Sequence, residues 1–230
     1  AQHQGAGLRL AIGRDGRRAF AIPMEHSSRD PQWRELDRQT FADWLNAQGF
    51  TAPSLHWLAN YACRDDYGTA YTQTSAWAGV HYFACRNGEA ANASGDAVLT
   101  APEGNAWLVR GLAEKAAGRI VTDALVWRIE EGKSNAAVDV NFGQKTVRFE
   151  ARHVIWAAPA FILPGVWPAM PGELRGAALA GDYAPWLTAN LHLSDFPEER
   201  HGAPPAWDNV LYDSAGLGYV SATHQLIRRH

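Results

Sequence analysis

The stretch that decides the fold runs from residue 124 to residue 159 and reads ALVWRIEEGKSNAAVDVNFGQKTVRFEARHVIWAAP. Its first part, Leu125–Ile129, is β-like, and the polar residues 130–135 after it are typical of a turn region. Residues 138–142 and 146–149 alternate apolar and polar side chains around Gly143-Gln144, which predicts an antiparallel hairpin. Residues 153–157 are apolar almost throughout, so we predict a short strand that is buried on both faces.

Helical patterns come before this stretch, beginning near Trp33. Helix starts are indicated at Thr40, which has Asp43 three residues later, at Pro53 and at Ser75. The helix after Ser75 is expected to end at Asn87-Gly88. Residues 106–117 predict a further helix closed by Gly118. The part of the chain before residue 98 is therefore expected to be mostly helical.

Further extended segments are predicted on both sides of the central stretch. Leu8–Ile12 and Arg18–Ile22 flank a Gly/Asp turn and predict a β-hairpin. Short strands are also expected at residues 119–121, 186–193, 209–212 and 218–223. Four prolines between residues 159 and 171 mark a crossing between two regions, because proline is hard to place inside a continuous sheet.

Composition excludes several classes of protein. Of the 230 residues, 47% are hydrophobic and 20% are charged, which is ordinary for a globular protein and argues against disorder. Lys+Arg 21 against Asp+Glu 24 gives a net charge of −3 without a basic cluster, so a nucleic-acid footprint is not expected. The apolar stretches are too short to span a bilayer. Ten Trp indicate a bulky core or a wide ligand cavity.

The two cysteines, Cys63 and Cys85, are too few for a disulfide framework or a four-thiolate zinc site. Buried free thiols are favoured over a bridge between them. The nine His do not cluster at metal-ligand spacing, so no metal site is predicted. The compartment stays open, with a cytoplasmic location favoured.

Catalytic motifs are sparse. Gly5-Ala-Gly7 begins like a dinucleotide-binding fingerprint but lacks the third glycine and a preceding strand, so we reject it. The adjacent pair Asp65-Asp66 is typical of a solvated turn. His81 lies on a helical face with Trp77, where a hydrogen-bonded core imidazole is favoured and a catalytic base remains open.

The order of segments between Pro102 and Pro159, namely helix, strand, hairpin and buried strand, resembles the middle of flavin-containing amine oxidases. That family shares its FAD-binding fold with phytoene desaturases and protoporphyrinogen oxidases. The resemblance extends over about residues 33–193 through the pairs and segments Leu36-Asp37, Thr40-Phe41, Trp44-Leu45, Ser75 to Tyr82 and Tyr183 to Leu193. It implies a mixed α/β (α+β) fold: a helical and antiparallel-sheet substrate domain (1–98 and 161–230) with an inserted partial FAD-binding domain (99–160).

The resemblance also implies an activity, in which an FAD-dependent oxidoreductase passes a hydride from an apolar or amine substrate to flavin. The backbone of Val126 would hold the adenine side of FAD, and the turn Ala157-Ala158-Pro159 would lie near the cofactor. Asn190 falls where many amine oxidases have a lysine that holds a water against the flavin. The predicted catalytic residues are therefore Asn190 and His81, and the predicted substrate pocket is lined by Trp77, Tyr82 and Trp186.

Two parts of the family pattern are not found in this sequence, the pyrophosphate loop and the C-terminal flavin-binding segment. The chain therefore resembles a central fragment of a longer enzyme, and we expect it to carry no FAD and to be inactive by itself. Its predicted partner is a small-molecule substrate. The rival hypothesis is a non-catalytic, Trp-rich binding or scaffold module. Substrate, electron acceptor and oligomeric state stay open.

Overall fold

The computed structural model describes residues 7–86, 101–195, 201–202, 206 and 208–222. Within these ranges the α-helices are α1 (Pro31–Arg34), α2 (Phe41–Ala47), α3 (Pro53–Tyr67), α4 (Ala76–Ala84), α5 (Ala106–Lys115), α6 (Leu163–Val166) and α7 (Gly172–Leu179). The strands are β1 (Leu125–Glu131), β2 (Ala136–Phe142), β3 (Lys145–Ala151), β4 (Asp208–Asn209) and β5 (Tyr219–Val220). Short 3-10 turns lie at Met24–His26, Glu35–Arg38 and Ala160–Ile162.

The chain divides into two compact units. One consists of Ala1–Pro102 with Ala184–His230, here the helical unit, and the other of Glu103–Tyr183, here the sheet unit. The mixed α/β class predicted from the sequence is confirmed by these helices and antiparallel strands. No helix in the described ranges is long and apolar enough to cross a membrane.

The predicted helix starts in the helical unit are confirmed. Thr40 Oγ1 accepts a hydrogen bond from the Asp43 N–H at 3.1 Å, and Ser75 Oγ accepts one from the Ala78 N–H at 3.1 Å. Pro53 is the first residue of α3, where its missing N–H costs no hydrogen bond. Helix α4 ends at Ala84, with Cys85 as its C-cap, so it ends before the expected Asn87-Gly88, which lies outside the described residues.

The core of the helical unit is assembled from the segment around Phe20 and from α2, α3 and α4. Phe20 is only 1% exposed, and it packs in one cluster with Leu45 and Val80. Cys63 and Cys85 lie buried in the same cluster as free thiols, which confirms the prediction made from their number. Burial raises the pKa of both thiols.

The hairpin predicted for residues 8–22 is wrong. Residues 7–9 are helical, and Ile12 and Arg18 form an isolated bridge. The segment is fixed by side chains instead of a strand ladder: Asp15 Oδ1 accepts from Ser28 Oγ at 2.8 Å, and the buried Asp30 Oδ2 accepts from the Arg14 N–H at 2.9 Å.

The sheet unit is built on an antiparallel meander in the order β1-β2-β3. The strand at 125–129 and the hairpin around Gly143-Gln144 are therefore confirmed. Asp139 and Arg148 face each other across β2 and β3, and Arg148 Nε and Nη2 donate to the two carboxylate oxygens at 2.7 and 2.8 Å. Helix α6 packs against β1.

Several predicted strands are wrong in whole or in part. Residues 119–121, 153–157 and 186–193 form no strand, and the segment expected to be buried on both faces leaves Ile155 91% exposed. A strand needs a partner for its backbone groups, and within the described residues these segments pair with none. The two C-terminal strands shorten to β4 and β5, and Thr223 lies outside the described residues.

Asp65 and Asp66 do not form a solvated turn. They belong to the last turns of α3, which ends where Gly68 adopts a left-handed φ of 65°. An L-residue with a side chain is strained in that conformation, so glycine ends this helix.

Candidate functional site

Trp77 and His81 form an aromatic pair on one face of α4. They are four positions apart in the sequence, a spacing that puts both side chains on the same side of a helix. Their ring centroids are 4.9 Å apart with an interplanar angle of 20°, and the ring of Phe20 lies 5.7 Å from Trp77 and 6.5 Å from His81. This pair is the part of the predicted pocket that the structure brings together.

The imidazole of His81 is anchored by one nitrogen. Its Nε2 lies 2.8 Å from the carbonyl oxygen of Ala21, and because a carbonyl only accepts, Nε2 carries the proton and donates it. In the neutral ring, Nδ1 then carries the lone pair. Any proton that His81 takes up must therefore go to Nδ1, while Nε2 fixes the ring orientation.

A cleft of about 840 Å³ lies beside Trp77 in the helical unit. Its walls carry charges of both signs, which come from Arg29, Arg34, Glu35, Asp37 and Arg38. Arg38 Nη1 and Glu35 Oε1 are 3.2 Å apart and offset each other. The sequence analysis missed these arginines, because they are spread over ten residues and form no dense basic run.

Tyr82 faces a different environment from Trp77 and His81. The guanidinium carbon of Arg86 lies 3.8 Å from the centroid of its ring, and Arg86 Nη2 donates to both carboxylate oxygens of Asp66 at 3.2 and 3.3 Å. Burial raises the pKa of the Tyr82 hydroxyl. Tyr82 thus belongs to a cation–π and ion-pair cluster at the end of α4.

Trp186 lies at the C-terminal end of α3. A side chain at Gly68 would meet the Trp186 indole nitrogen at 2.8 Å, so glycine allows this close approach. A cavity of about 190 Å³ is lined there by Arg64, Gly68, Trp186 and Leu217 among others, and it includes none of Trp77, His81 or Tyr82.

Asn190 is exposed on an extended segment without strand pairing. The neighbouring apolar side chains do not pack into the core: Leu187 is 97% exposed, and Leu191 and Leu193 are exposed as well. All side chains of residues 186–193 are therefore exposed to solvent, the polar ones and the apolar ones alike.

The residues expected near a cofactor lie in the sheet unit. Val126 lies on β1, an edge strand of the described sheet, and pairs with Val140 on β2. The pairing register shifts between Val126 and Arg128. Ala157, Ala158 and Pro159 are exposed, and the Trp156 indole N–H donates to the Pro159 carbonyl at 3.2 Å. No group of three or more metal-ligating side chains occurs in the described parts of the chain.

No protein-family model matches the chain, and no curated protein matches it at a significant level. Its fold, however, is similar to that of a solved oxidase. The similar structure is a triple mutant of putrescine oxidase made in a structure-based redesign of cofactor binding. The TM-score is 0.56 at 18% sequence identity, and the match covers 76% of this chain.

The chain spans 37% of the putrescine oxidase chain that it matches. At this level of identity the likeness concerns the fold. The chain therefore shares its fold with part of putrescine oxidase, which agrees with the fold that the order of segments implied.

Proposed function

We propose that this chain is the central part of an FAD-dependent oxidoreductase of the amine oxidase type, which passes a hydride from an apolar or amine substrate to flavin. The observation that carries the proposal is the fold likeness to putrescine oxidase over 76% of the chain. Residues 1–98 and 161–230 would then form the substrate domain, and residues 99–160 part of the FAD-binding domain.

The sheet unit offers surfaces that fit one end of an FAD. Among the described strands, β1 pairs on one side only, with β2, so its other side would be available to contact an adenine edge near Val126, much as an added strand would. Ala157 and Ala158 carry small, exposed side chains that let a large planar group approach the backbone. These features support the assignment of both segments to the cofactor.

Recognition of the pyrophosphate needs a glycine-rich loop that leads into a helix, where backbone N–H groups face the anion. The Gly5-Ala-Gly7 segment lacks the third glycine of that loop. In our proposal this part of the site belongs to a longer protein, and the 230-residue chain alone binds no FAD and is inactive.

The chain's own side chains would shape the substrate side. Trp77 and His81 give a flat aromatic wall, in which the Ala21 carbonyl fixes the orientation of His81. Nδ1 of His81 would accept a hydrogen bond from a bound amine. Asn190 supplies an amide in place of a cationic amine, so it can hold a water by hydrogen bonding without adding charge. When bound, the flavin supplies the hydride acceptor.

The test uses the longest protein that the gene encodes. We expect it to purify with a flavin absorbance band that a substrate bleaches without oxygen, whereas the 230-residue chain purifies colourless. Ala158→Trp in the long protein should abolish flavin binding while its melting temperature without flavin stays the same. Ala117→Trp, also exposed in the sheet unit, is the matched control and should keep the flavin. A colourless long protein, or full flavin content in Ala158→Trp, would overturn the proposal.

The alternative of a non-catalytic binding module is favoured by one observation. Helix α5 has no buried residue, and it exposes Trp107, Leu108, Val109 and Leu112. Apolar side chains on a helix usually pack against something. If the long protein binds no flavin, and if Trp107→Lys abolishes capture of a protein or lipid ligand, the binding module replaces the oxidoreductase.

A further inference from the structure

Three aromatic rings from distant parts of the chain meet on the surface of the helical unit, and we name Trp57, Tyr61 and Tyr212 the aromatic patch. Trp57 and Tyr61 are stacked with centroids 5.6 Å apart and an interplanar angle of 12°. The ring of Tyr212 lies 4.7 Å from that of Trp57. Tyr212 is 57% exposed, so the patch is open to solvent on that side.

The patch stands on the outer face of α3. Trp57, Tyr61 and Asp65 follow one another at four-residue spacing and share that face, while Ala59, Ala62 and Cys63 point into the core. The spacing therefore adds a carboxylate to the row of rings. Trp57, Tyr61 and Asp65 are each partly exposed, so a ligand can contact this face of α3.

Two carboxylates give the patch a negative field. Asp65 lies one helical turn after Tyr61 on the same face of α3. After the larger effect of burial, Asp65 and Asp208 both raise the pKa of the Tyr61 hydroxyl. Burial, followed by repulsion from Asp208 and Asp66, raises the pKa of Asp65. A cation that binds between two such like charges, one of them half-buried, reduces their repulsion.

Nothing in the described chain supplies that cation. Neither Asp65 nor Asp208 has an ion pair or a side-chain hydrogen bond within the described residues, whereas the neighbouring Asp66 is held by Arg86. Arg86 is committed to Asp66 and Tyr82, and its attraction is the smallest effect on Asp65. The guanidinium of Arg64 instead donates to the Ala215 carbonyl.

Aromatic faces and carboxylates together recognise a distinct ligand chemistry. Ring faces attract ammonium groups within about 6 Å of the centroid, and they also cover the carbon chain of an alkylamine. A metal ion that keeps its water and oxygen ligands would gain little from the three rings, and the carboxylates would repel an anion. We propose that the aromatic patch, with Asp65 and Asp208, binds an organic cation of the alkylammonium class. This binding needs no flavin, so its failure would leave the proposed function untouched.

The test is a nuclear magnetic resonance titration of the 230-residue chain with butylammonium chloride. The Trp57 indole N–H signal, assigned as the one lost in Trp57→Phe, should shift in a saturable way. The uncharged 1-butanol should shift it at least fivefold less at equal concentration, and added salt should weaken butylammonium binding. Equal shifts with both compounds, or no saturable shift with butylammonium, would overturn the proposal.

Variants test whether binding depends on the charge of Asp65 and not on a change in the folding of the protein. Asp65→Asn should weaken butylammonium binding fivefold or more, and Tyr212→Leu twofold or more, while Asp65→Glu should retain binding. The matched control is Glu25→Gln, which removes an exposed carboxylate of the helical unit that lines neither the cleft nor the patch. Each variant is used only with an unchanged melting curve. Wild-type affinity in a folded Asp65→Asn protein, or an equal loss in Glu25→Gln, would refute a site at the patch.

Discussion

The helical unit and the sheet unit bury their apolar side chains to different extents. In the helical unit, side chains from three helices close around Phe20 and Cys63, both of which are almost fully buried. In the sheet unit, Ile129 and Val140 are buried in the meander, but large side chains such as Trp127 stay exposed. The helical unit therefore depends on packing, whereas the sheet unit depends more on its strand hydrogen bonds and on the Asp139–Arg148 pair.

This difference separates the two halves of the proposed function. The half proposed to shape the substrate side has a closed core of its own, which can hold the Trp77–His81 pair in one orientation. The half proposed to meet the cofactor keeps an exposed apolar surface, as expected if further protein covers it. Substitutions matched between the two units can measure the contrast.

The largest effect is expected for removal of the central ring of the helical unit. Phe20→Ala should lower the free energy of unfolding by about 3–5 kcal/mol, because it opens a cavity among Trp33, Trp77 and His81. Phe149→Ala, at a ring in the sheet unit that is 47% exposed, should cost well under half as much. Urea unfolding followed by circular dichroism measures both. Equal losses would remove the contrast between the units.

The next effect concerns two helical glycines. A side chain at Gly79 in α4 would collide with the ring of Phe41, whereas nothing lies within 4 Å of a side chain at Gly111 in α5. Gly79→Ala should therefore destabilise by about 1–3 kcal/mol, and Gly111→Ala should stabilise by up to about 1 kcal/mol through helix propensity. The urea midpoints should move in opposite directions; a shift of both midpoints the same way would contradict the packing described for α4.

A smaller effect is expected at the helix caps. Ser75→Ala removes the hydroxyl that accepts from the Ala78 N–H and should cost about 1 kcal/mol. Asn105 precedes α5 without a side-chain cap bond, so Asn105→Ala should change stability by no more than a few tenths of a kcal/mol. Thermal melting compares the two variants. A cost at Asn105 as large as that at Ser75 would show a cap that the structure does not contain.

The smallest effect on stability is expected only at acidic pH. The backbone N–H of Arg14 lowers the pKa of Asp30, and the guanidinium of Arg148 lowers that of Asp139. A carboxyl with a lowered pKa in the folded state adds stability above its unfolded value of about 3.9, and this stability is lost as the pH falls through the folded value. We expect the free energy of unfolding to decrease below about pH 5.

Asp139→Asn should flatten this decrease for the sheet unit. Glu114→Gln, at an exposed position on α5, is the matched control. In this variant the free energy of unfolding should decrease with falling pH as steeply as in the wild type. Unfolding followed at pH values between 3 and 7 gives both slopes. If the free energy of unfolding of Asp139→Asn falls with pH as steeply as in the wild type, the Asp139–Arg148 pair adds no pH-dependent stability.

Features whose hydrogen bonds close within a few residues could be predicted from the sequence. Thr40 and Ser75 bond to backbone N–H groups three residues ahead, and Pro53 begins a helix because of its own ring. The hairpin around Gly143-Gln144 needs only its own two strands. The spacing of Trp77 and His81 likewise places both side chains on one helix face before any tertiary contact forms.

The remaining features depend on segments far apart in the chain, and only the tertiary structure decided them. Residues 8–22, 153–157 and 186–193 have the side chains of strands, but strand formation also needs a partner segment, and an apolar pattern does not reveal whether one is there. The Ala21 carbonyl that fixes His81 lies 60 residues away in the chain, and Tyr212, which packs on Trp57, comes from the second sequence segment of the helical unit. Local sequence determines which conformation a segment prefers, while the burial and hydrogen bonding that stabilise it come from residues that only folding brings near.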